Sequence, residues 1–406
     1  MDRKPGINNM KKSFLNNLKN KVRPYFYHTR HILSGRKNII SKYDFTILGN
    51  SGNDSFFGYY DVSPFCPYDD NILTYMSVNY DKSEASIHLY NINSGQDRII
   101  DHSKSWNWQQ GCRLRWFPDE KPLLLFNDFD GENYCARVID TKGNTIKMFS
   151  KPLYDIDCKA KLGITTDFSK LGYLRPGYGY TITPQKNYYQ TDIAIEIVDL
   201  DNDTITKEIS YSQVIDILGG KSKSVKNYYI NHLSFAPNGN KFLFFVIEII
   251  DKFHKASLLV YDLNNDTMKV LERDMKVSHY VWIDDETIIC TAYDKLYCCN
   301  YYSYHCTDNR REKLYPNTLS EDGHPRLLNN GIMLTDTYPD ALGYQHLFTV
   351  NLHTGFREEI SAIYSTPFMT GEKRTDLHPR INNNNNKICI DSNSQGKRKI
   401  IIYSYE

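Results

Sequence analysis

Val260-Tyr261-Asp262-Leu263-Asn264-Asn265 is the stretch that decides the fold, because variants of it recur along the chain. In each variant an apolar strand ends at an Asp or Asn residue and then turns. The other copies are Leu89–Gly95, Val138–Gly143, Val198–Asp203 and Val350–Gly355. Asn, Asp and Gly suit tight hairpin turns because they tolerate a positive φ. Each copy therefore predicts a third strand that turns back into a fourth.

A second recurring phrase marks where units begin: an aromatic residue stands just ahead of Pro and a polar turn. It occurs at Phe65–Asp69, Trp116–Asp119 and Phe235–Gly239. The run Asn382–Asn386 stands at the equivalent turn of the last unit. The two phrases together give seven units, near residues 56–100, 105–149, 155–210, 229–272, 278–316, 322–360 and 374–406. A period of about 45 residues with four strands in each unit predicts an all-β, seven-bladed β-propeller. A two-sheet sandwich is the competing fold, but it does not explain that period.

The residues ahead of the first unit have two expected roles. The last unit has only three strands, so we expect the preceding strand Tyr43–Leu48 to complete it and close the ring. Residues 1–42 then form a basic N-terminal extension, helical or disordered, and residues 43–406 form the propeller. Apolar residues in the extension recur at roughly helical spacing: Leu15, Leu18, Val22 and Tyr25. A helix on a membrane surface is the alternative for this segment.

Composition narrows the classes of function. Tyr (32 residues) and Phe (19 residues) are abundant, and both favour strands. The 49 basic and 48 acidic residues nearly cancel, which disfavours a nucleic-acid partner. Neither a transmembrane run, a glycine-rich nucleotide loop nor a Gly-x-Ser-x-Gly elbow occurs, so we expect no membrane span, no nucleotide cofactor and no serine-hydrolase domain. Nine scattered cysteines without zinc spacing favour a reducing cytoplasm.

Four histidines stand at equivalent positions, near the first strand of four successive units. They are His232, His279, His324 and His378. Because the first strand of each blade lines the central channel of a propeller, we expect these side chains to converge at one mouth. One interpretation is a metal or an anionic ligand held by the imidazoles. The other is structural, with each His hydrogen-bonded to the neighbouring blade. Asp322, Asp376 and Asn231 are the candidate acceptors that would orient metal-binding histidines.

Aromatic and polar residues cluster near the starts of other blades. Flat aromatic faces beside amides and Arg suit sugar rings and carboxylates. Each cluster alone is explained better by packing than by binding, and their shared placement makes the two interpretations equal. The substrate-binding candidates are Tyr59, Tyr60, Asp61, Trp108, Gln110, Tyr178, Tyr338 and Arg380. The catalytic candidates are Arg175, Tyr180, His232 and Arg374.

Several longer phrases carry a resemblance to a known family. They are Phe57–Pro64, Asn107–Cys112, Leu174–Tyr180, Glu321–His324, Asp336–Asp340 and Asp376–Arg380. With them, the chain from about residue 56 to 406 resembles bacterial seven-bladed β-propellers related to oligogalacturonate lyase and to TolB. Many such propellers look like products of surface-polysaccharide gene clusters.

The resemblance implies a cytoplasmic enzyme acting on an acidic oligosaccharide or polysaccharide by β-elimination. Oligogalacturonate lyases hold a divalent metal, typically manganese, through three His and one Gln. The resemblance thus implies His324 and His378 as the first candidates for metal ligands, with His279 and His232 behind them, and Gln345 or Gln110 as the amide. It also implies Arg175, Arg326, Arg374 and Arg380 as groups that bind the uronate carboxylate, and His232 or Tyr180 as the base.

Two other functions stay open from the sequence. One is a non-lyase role in surface-polysaccharide biosynthesis, such as glycan binding, assembly with partner proteins or glycosyl transfer. The other is a protein-interaction propeller. A lyase predicts bound metal and ultraviolet-absorbing unsaturated products, whereas a glycan binder predicts affinity without turnover.

Overall fold

Seven antiparallel sheets follow one another along the chain and confirm the predicted seven-bladed β-propeller. The computed structural model describes residues 24–50, 52–79, 83–182, 191–219, 224–308 and 310–405. The predicted helical spacing of Leu15, Leu18 and Val22 lies outside the described residues. Each blade follows the chain from its inner strand to its outer strand, as the repeat predicts.

The strands of the seven blades have the following bounds. The first blade contains β3 (Asp54–Phe56), β4 (Phe65–Cys66), β5 (Asp69–Val78), β6 (Ala85–Asn91) and β7 (Asp97–Ser103). The second contains β8 (Arg115–Phe117), β9 (Leu123–Phe129), β10 (Tyr134–Asp140) and β11 (Thr145–Phe149). The third contains β12 (Asp155–Ile156), β13 (Leu162–Thr165), β14 (Ile193–Asp199) and β15 (Thr204–Ser210). The fourth contains β16 (Tyr228–Phe235), β17 (Lys241–Ile250), β18 (Phe253–Asp262) and β19 (Thr267–Glu272).

The remaining blades and two N-terminal strands complete the set. The fifth blade contains β20 (Lys276–Trp282), β21 (Thr287–Tyr293), β22 (Cys299–His305) and β23 (Arg311–Leu314). The sixth contains β24 (Arg326–Leu327), β25 (Ile332–Asp336), β26 (Tyr344–Asn351) and β27 (Arg357–Tyr364). The seventh contains β28 (Arg380–Ile381), β29 (Lys387–Ser392) and β30 (Lys399–Ser404). The N-terminal strands are β1 (Ile39–Ser41) and β2 (Phe45–Leu48).

The two N-terminal strands each join a late blade. Strand β2 pairs antiparallel with β30, with Phe45 opposite Tyr403, and so supplies the fourth strand of the seventh blade. Strand β1 pairs with β27 and adds a fifth strand to the sixth blade, with Ile39 opposite Ile363. Residues assigned by sequence to the extension thus contribute a strand to the ring.

Helices are few. Residues 24–33 form α1. Helix α2 (Phe168–Leu174) begins after Asp167, whose carboxylate accepts from the Lys170 amide. Helix α3 (Tyr211–Leu218) begins with a reciprocal Ser210–Gln213 capping box. Short 3-10 turns cover Val225–Asn227, Asn329–Gly331 and Gly371–Lys373. Within the described residues, no helix is long and apolar enough to cross a membrane.

The core lies between adjacent blades, because each sheet is covered on both faces. In β17, five consecutive residues from Phe242 to Val246 are at most 1% exposed. Such a run fits a strand buried on both faces, where polar alternation is absent. The inner strands are less regular: pairing shifts register between Asn231 and Ser234 in β16, and between Val277 and Tyr280 in β20. These irregularities fall at His232 and His279 and re-aim their side chains.

A loop of the first blade brings two tyrosines to the histidines. It follows β3 and contains Gly58, whose φ of 121° is unfavourable for other residues. A Cβ atom at Gly58 would lie 3.0 Å from the carbonyl carbon and oxygen of Gln110. The loop is held by Asp391, which accepts from the amides of Phe57 at 3.2 Å and Gly58 at 3.4 Å. The close approach and the anchor set the positions of the next residues, Tyr59 and Tyr60.

Candidate functional site

The four predicted histidines converge in the structure. The ring centroids of His279 and His324 are 4.1 Å apart, and those of His324 and His378 are 4.4 Å apart. The ring of His232 lies 6.2 Å from that of His279. All four residues are at most 7% exposed. Four imidazoles from four different blades therefore form one buried cluster.

Asp322 orients His279. The Nδ1–H of His279 donates to Asp322 Oδ1 at 3.0 Å. The same carboxylate accepts from the hydroxyls of Ser278, Thr291 and Tyr293 at 2.8–2.9 Å. Burial alone would raise the pKa of Asp322, but His279 and these donors hold it well below its ordinary value. Asp322 is thus an ionised, fully bonded anchor for one imidazole.

His324 and His378 are oriented in the same way by other acceptors. The Nδ1–H of His324 donates to Asp336 Oδ1 at 2.8 Å, and the Nδ1–H of His378 donates to the carbonyl of Gly58 at 2.8 Å. Burial opposes protonation of both rings. The carboxylate of Asp336 outweighs it and raises the pKa of His324, whereas burial and the nearby His324 lower the pKa of His378 well below its ordinary value. Each ring therefore presents its Nε2 to the shared space.

Those two Nε2 atoms are buried and have no hydrogen-bond partner among the described residues. Asp376 adds a carboxylate beside them, with Oδ2 at 4.0 Å from His378 Nε2. The ligand atoms of His324, Asp376 and His378 all lie within 4.8 Å of one another. Donors on opposite sides of a metal ion at about 2.1 Å are about 4.2 Å apart. The spacing, the unpartnered nitrogens and the mixed imidazole–carboxylate set fit a single divalent ion.

Arg374 orients the carboxylate of Asp376, the third potential ligand. Its Nη2 and Nε donate to Asp376 Oδ2 at 2.6 and 3.0 Å. Burial raises the pKa of the Asp376 carboxyl, but Arg374 outweighs it and the net pKa is lowered. Asp376, which the sequence offered as an orienting acceptor, is instead a potential ligand that is itself oriented by Arg374.

His232 faces a separate hydrogen-bond network. Its Nε2 lies 3.4 Å from the Tyr59 hydroxyl, and its Nδ1 is buried with no partner in the described part of the chain. Burial and the neighbouring His279 lower its pKa well below the ordinary value, so the ring is neutral. Gln110 Nε2 donates to the Tyr154 hydroxyl at 2.6 Å and to Asn231 Oδ1 at 3.1 Å. Gln110 therefore supports the strand that carries His232.

Tyr59 and Tyr60 fill the centre of the cluster. The Tyr59 ring stacks on His232 at 5.2 Å and contacts His378 at 4.8 Å. The Tyr60 hydroxyl donates to the carbonyl of Tyr280 at 3.0 Å and accepts from its amide at 2.9 Å. Because both hydrogen bonds of its hydroxyl go to the Tyr280 backbone, Tyr60 contributes its ring to the packing of the cluster. Its ring lies 5.2 Å from that of His324 and also lines a second cavity, described below.

A cavity of about 390 Å³, which we call the histidine cavity, is lined by His232 and His279 of the cluster. His324, Asp376 and His378 do not line it but lie behind His279, whose ring centroid is 4.1 Å from that of His324. Residues predicted to bind substrate or take part in catalysis line the histidine cavity: Arg175, Tyr178, His232, Tyr338 and Arg374.

The Arg175 guanidinium lies 5.2 Å over the Tyr178 ring, and no carboxylate of the described residues pairs with it. Arg374, by contrast, lies beside Tyr338 but is bound to Asp376. Lys252 and Lys276 also line the cavity, and neither pairs with a carboxylate of the described residues. The cavity thus offers aromatic walls and several unpaired basic side chains to a ligand.

Asp61 and Arg326 belong to a different cavity, of about 360 Å³, which Tyr60 also lines. Asp61 pairs with Arg113 at 2.9 Å, and its carbonyl accepts from Arg326 at 2.9 Å. The histidines do not line this cavity. Both residues therefore line a cavity other than the one that His232 and His279 line.

Four other predicted residues also lie outside the histidine cavity. Trp108 stacks on Phe56 at 5.8 Å. Tyr180 is 1% exposed and its hydroxyl accepts from Asn127 at 2.9 Å. Arg380 is fully buried and pairs with Asp391 at 2.6 Å. Gln345 donates to the carbonyl of Thr375 at 3.4 Å. None of the four lines the cavity. Arg380 nevertheless lies next to the cluster, since its Nη1 donates to the Gly58 carbonyl that also accepts from His378.

The sequence did not single out two groups of residues that the structure adds. Asp336 was noted only within an aromatic phrase, yet it binds His324. The cavity wall also includes polar residues whose spacing gave no signal: Tyr229, Lys252, His254, Lys276 and Tyr293. They come from β16, from the β17–β18 hairpin and from β20 and β21, and no repeated phrase marks them in the sequence.

Solved structures share this architecture. An oligogalacturonate lyase from Vibrio parahaemolyticus is 12% identical, with a TM-score of 0.62 over 91% of this chain and 100% of that chain. An oligogalacturonate lyase in complex with manganese is 14% identical, with a TM-score of 0.63 over 91% of this chain and 97% of that chain. The tricorn protease is 10% identical, with a TM-score of 0.52 over 87% of this chain and 34% of that chain. TolB from Acinetobacter baumannii is also similar, at a TM-score of 0.39.

No protein-family model and no curated protein matches the chain. At 10–14% identity the structural likeness establishes the fold alone. The resemblance to oligogalacturonate lyases that the sequence phrases carry is confirmed at that level.

Proposed function

We propose that the protein is a metal-dependent lyase that cleaves acidic oligosaccharides by β-elimination at the histidine cavity. The observation that carries the proposal is the pair of unpartnered, buried Nε2 atoms of His324 and His378 beside the Asp376 carboxylate. An oligogalacturonate lyase of the same fold is known in complex with manganese, which supports both the ion and the substrate class.

His324, His378 and Asp376 would hold the ion, with His279 next to them. A divalent ion there would supply positive charge that neutralises a uronate carboxylate and acidifies the adjacent C–H bond. This ligand set differs from the three His and one Gln implied by resemblance. Gln110 and Gln345 donate to other groups through Nε2, and the Oε1 atom of Gln110, which a metal would bind, has no partner among the described residues. We assign the third ligand to Asp376 because its carboxylate lies within 4.8 Å of both imidazole ligand atoms.

The chain's own groups cover the remaining tasks. Arg175, which has no carboxylate partner among the described residues, would bind the substrate carboxylate, and Tyr178 and Tyr338 would contact the sugar rings. His232 is neutral and would accept the proton from the carbon next to the carboxylate. The electrons of that C–H bond form a C=C bond as the glycosidic C–O bond on the next carbon breaks, and the leaving oxygen takes a proton from solvent.

The test is turnover of oligogalacturonate by the purified protein supplied with manganese. We expect a product that absorbs in the ultraviolet, because its C=C bond is conjugated to the carboxylate. A neutral galacto-oligosaccharide should give none. Arg175→Gln should weaken turnover of the acidic substrate, whereas Arg310→Gln, at an exposed turn, should not.

Saturable binding of the acidic sugar without any unsaturated product would overturn the lyase and favour a glycan-binding role. If the protein neither binds nor cleaves any of several uronide types, the proposal that it acts on carbohydrate is wrong. A role with partner proteins in surface-polysaccharide assembly stays a prediction of the sequence resemblance.

A further inference from the structure

Helix α1, residues 24–33, carries an apolar face that the propeller leaves largely exposed, although the Tyr25 ring contacts that of Phe368 at 5.0 Å. Tyr25, Phe26, Ile32 and Leu33 are 65%, 63%, 62% and 81% exposed. At 100° per residue the four side chains fall within an arc of about 120°. Single exposed apolar residues are ordinary, but a stripe along one helix face marks an interaction surface.

The opposite face fixes the helix to the sixth blade. The ring of His31 stacks on that of Tyr364 at 3.6 Å and 5°. Its Nε2 bonds to Asn38 Oδ1 at 2.9 Å, and Asn38 Nδ2 donates to the carbonyl of Ser394 at 2.7 Å. Strand β1, which follows the helix, is hydrogen-bonded to β27. Because this face is occupied, the apolar stripe stays directed away from the ring.

Charge indicates what would cover the stripe. Residues 1–37 contain ten Lys and Arg and one Asp, whereas the rest of the chain contains 39 Lys and Arg against 47 Asp and Glu. Three of the ten, Arg30, Arg36 and Lys37, are exposed on or just after the helix. The net charge of the whole chain is near zero because a strongly basic segment, residues 1–37, offsets the acidic residues 38–406.

We propose that α1 is a binding site for an anionic lipid surface. The helix would lie in the plane of the interface, with Phe26 and Leu33 inserted among the acyl chains and the basic residues against the lipid headgroups. A protein partner would also accept an apolar stripe, but a basic charge concentrated in the segment next to it favours anionic lipid. The surface is separate from the histidine cavity, so the inference does not rest on the proposed lyase activity.

The test is co-sedimentation of the full chain with vesicles of phosphatidylcholine, with and without phosphatidylglycerol. We expect binding only to the anionic vesicles, and weaker binding as salt is raised. The double variant Phe26→Ser/Leu33→Ser should bind the anionic vesicles with a partition coefficient at least roughly tenfold lower, because two apolar side chains are lost from the interface. The charge variant Arg30→Gln/Arg36→Gln/Lys37→Gln should lose the preference for phosphatidylglycerol.

A matched control replaces two equally exposed residues on the fifth blade, Leu296→Ser/Tyr297→Ser, which are 83% and 79% exposed. This control should bind vesicles as the natural protein does. All the variants should have the melting temperature of the natural protein. Absence of binding to anionic vesicles at low salt would overturn the proposal. So would a Phe26→Ser/Leu33→Ser variant that binds vesicles normally but changes oligomeric state, since that result would assign the stripe to a protein contact.

Discussion

Replacing Asp391 by Asn should destabilise the protein strongly, because it removes the charge partner of a buried guanidinium. Arg380 and Asp391 are 0% and 1% exposed, and Arg380 Nη2 donates to Asp391 Oδ1 at 2.6 Å. The same carboxylate accepts the amides of Phe57 and Gly58. Asn keeps the shape and one acceptor but leaves the charge of Arg380 uncompensated.

The expected magnitude follows from burial. Removing one member of a buried ion pair typically costs about 3–5 kcal/mol of unfolding free energy. An exposed pair gives a matched control: Lys161 and Asp201 are 62% and 58% exposed. Asp201→Asn should therefore leave stability nearly unchanged, since solvent screens that pair.

The assay is urea unfolding at neutral pH, followed by tryptophan fluorescence. Asp391→Asn should lower the midpoint with an unchanged slope, and should also weaken any function that depends on Tyr59, because the anchored loop carries that residue. A loss of less than about 1 kcal/mol, as for an average substitution, would refute the reasoning. That result would also mean that Arg380 does not depend on Asp391 and could bind a substrate carboxylate instead.

Two further outcomes are expected. Gly58→Ala should lower the melting temperature by more than Gly95→Ala, because both have a positive φ but only at Gly58 would a Cβ meet backbone, at 3.0 Å; equal losses in a thermal melt would contradict this. Burial, opposed by Asp167, lowers the pKa of Lys170 to about 8, so the unfolded chain binds more protons above that pH. The stability of the natural protein relative to Lys170→Met should then rise by roughly 1.4 kcal/mol per unit from about pH 8 towards pH 10, and a pH-independent difference would show that Lys170 is not desolvated.

The repeat could be predicted from sequence because its signal is local. Turn residues at fixed offsets placed each third and fourth strand, and the inner-strand positions then placed four histidines together. Strand β1 was missed because Ile39–Ser41 is three residues long and its partner in β27 lies more than 300 residues away. Such a pairing leaves no periodic pattern in the sequence.

The site could be predicted only in part, for the same reason. Asp322 was a correct choice as an acceptor, since it does orient His279. The acceptor for His378 is the carbonyl of Gly58, and every residue carries such a group, so no side chain marks it. Whether an aromatic or Arg near a blade start faces the cavity or the core depends on the local path of the backbone, and in the loop after α2 that path has no sequence period. Tyr178 and Tyr180 show the difference, since only the first lines the cavity.

The metal content of the purified protein tests the central claim most directly. After reconstitution with manganese and removal of free metal, mass spectrometry should find one ion per chain. The double variant His324→Ala/His378→Ala should retain none, whereas His254→Ala, in the adjacent cavity that His232 and His279 line, should retain the ion. No metal in the natural protein, or equal content in all three, would contradict the account and return the histidines to a structural role.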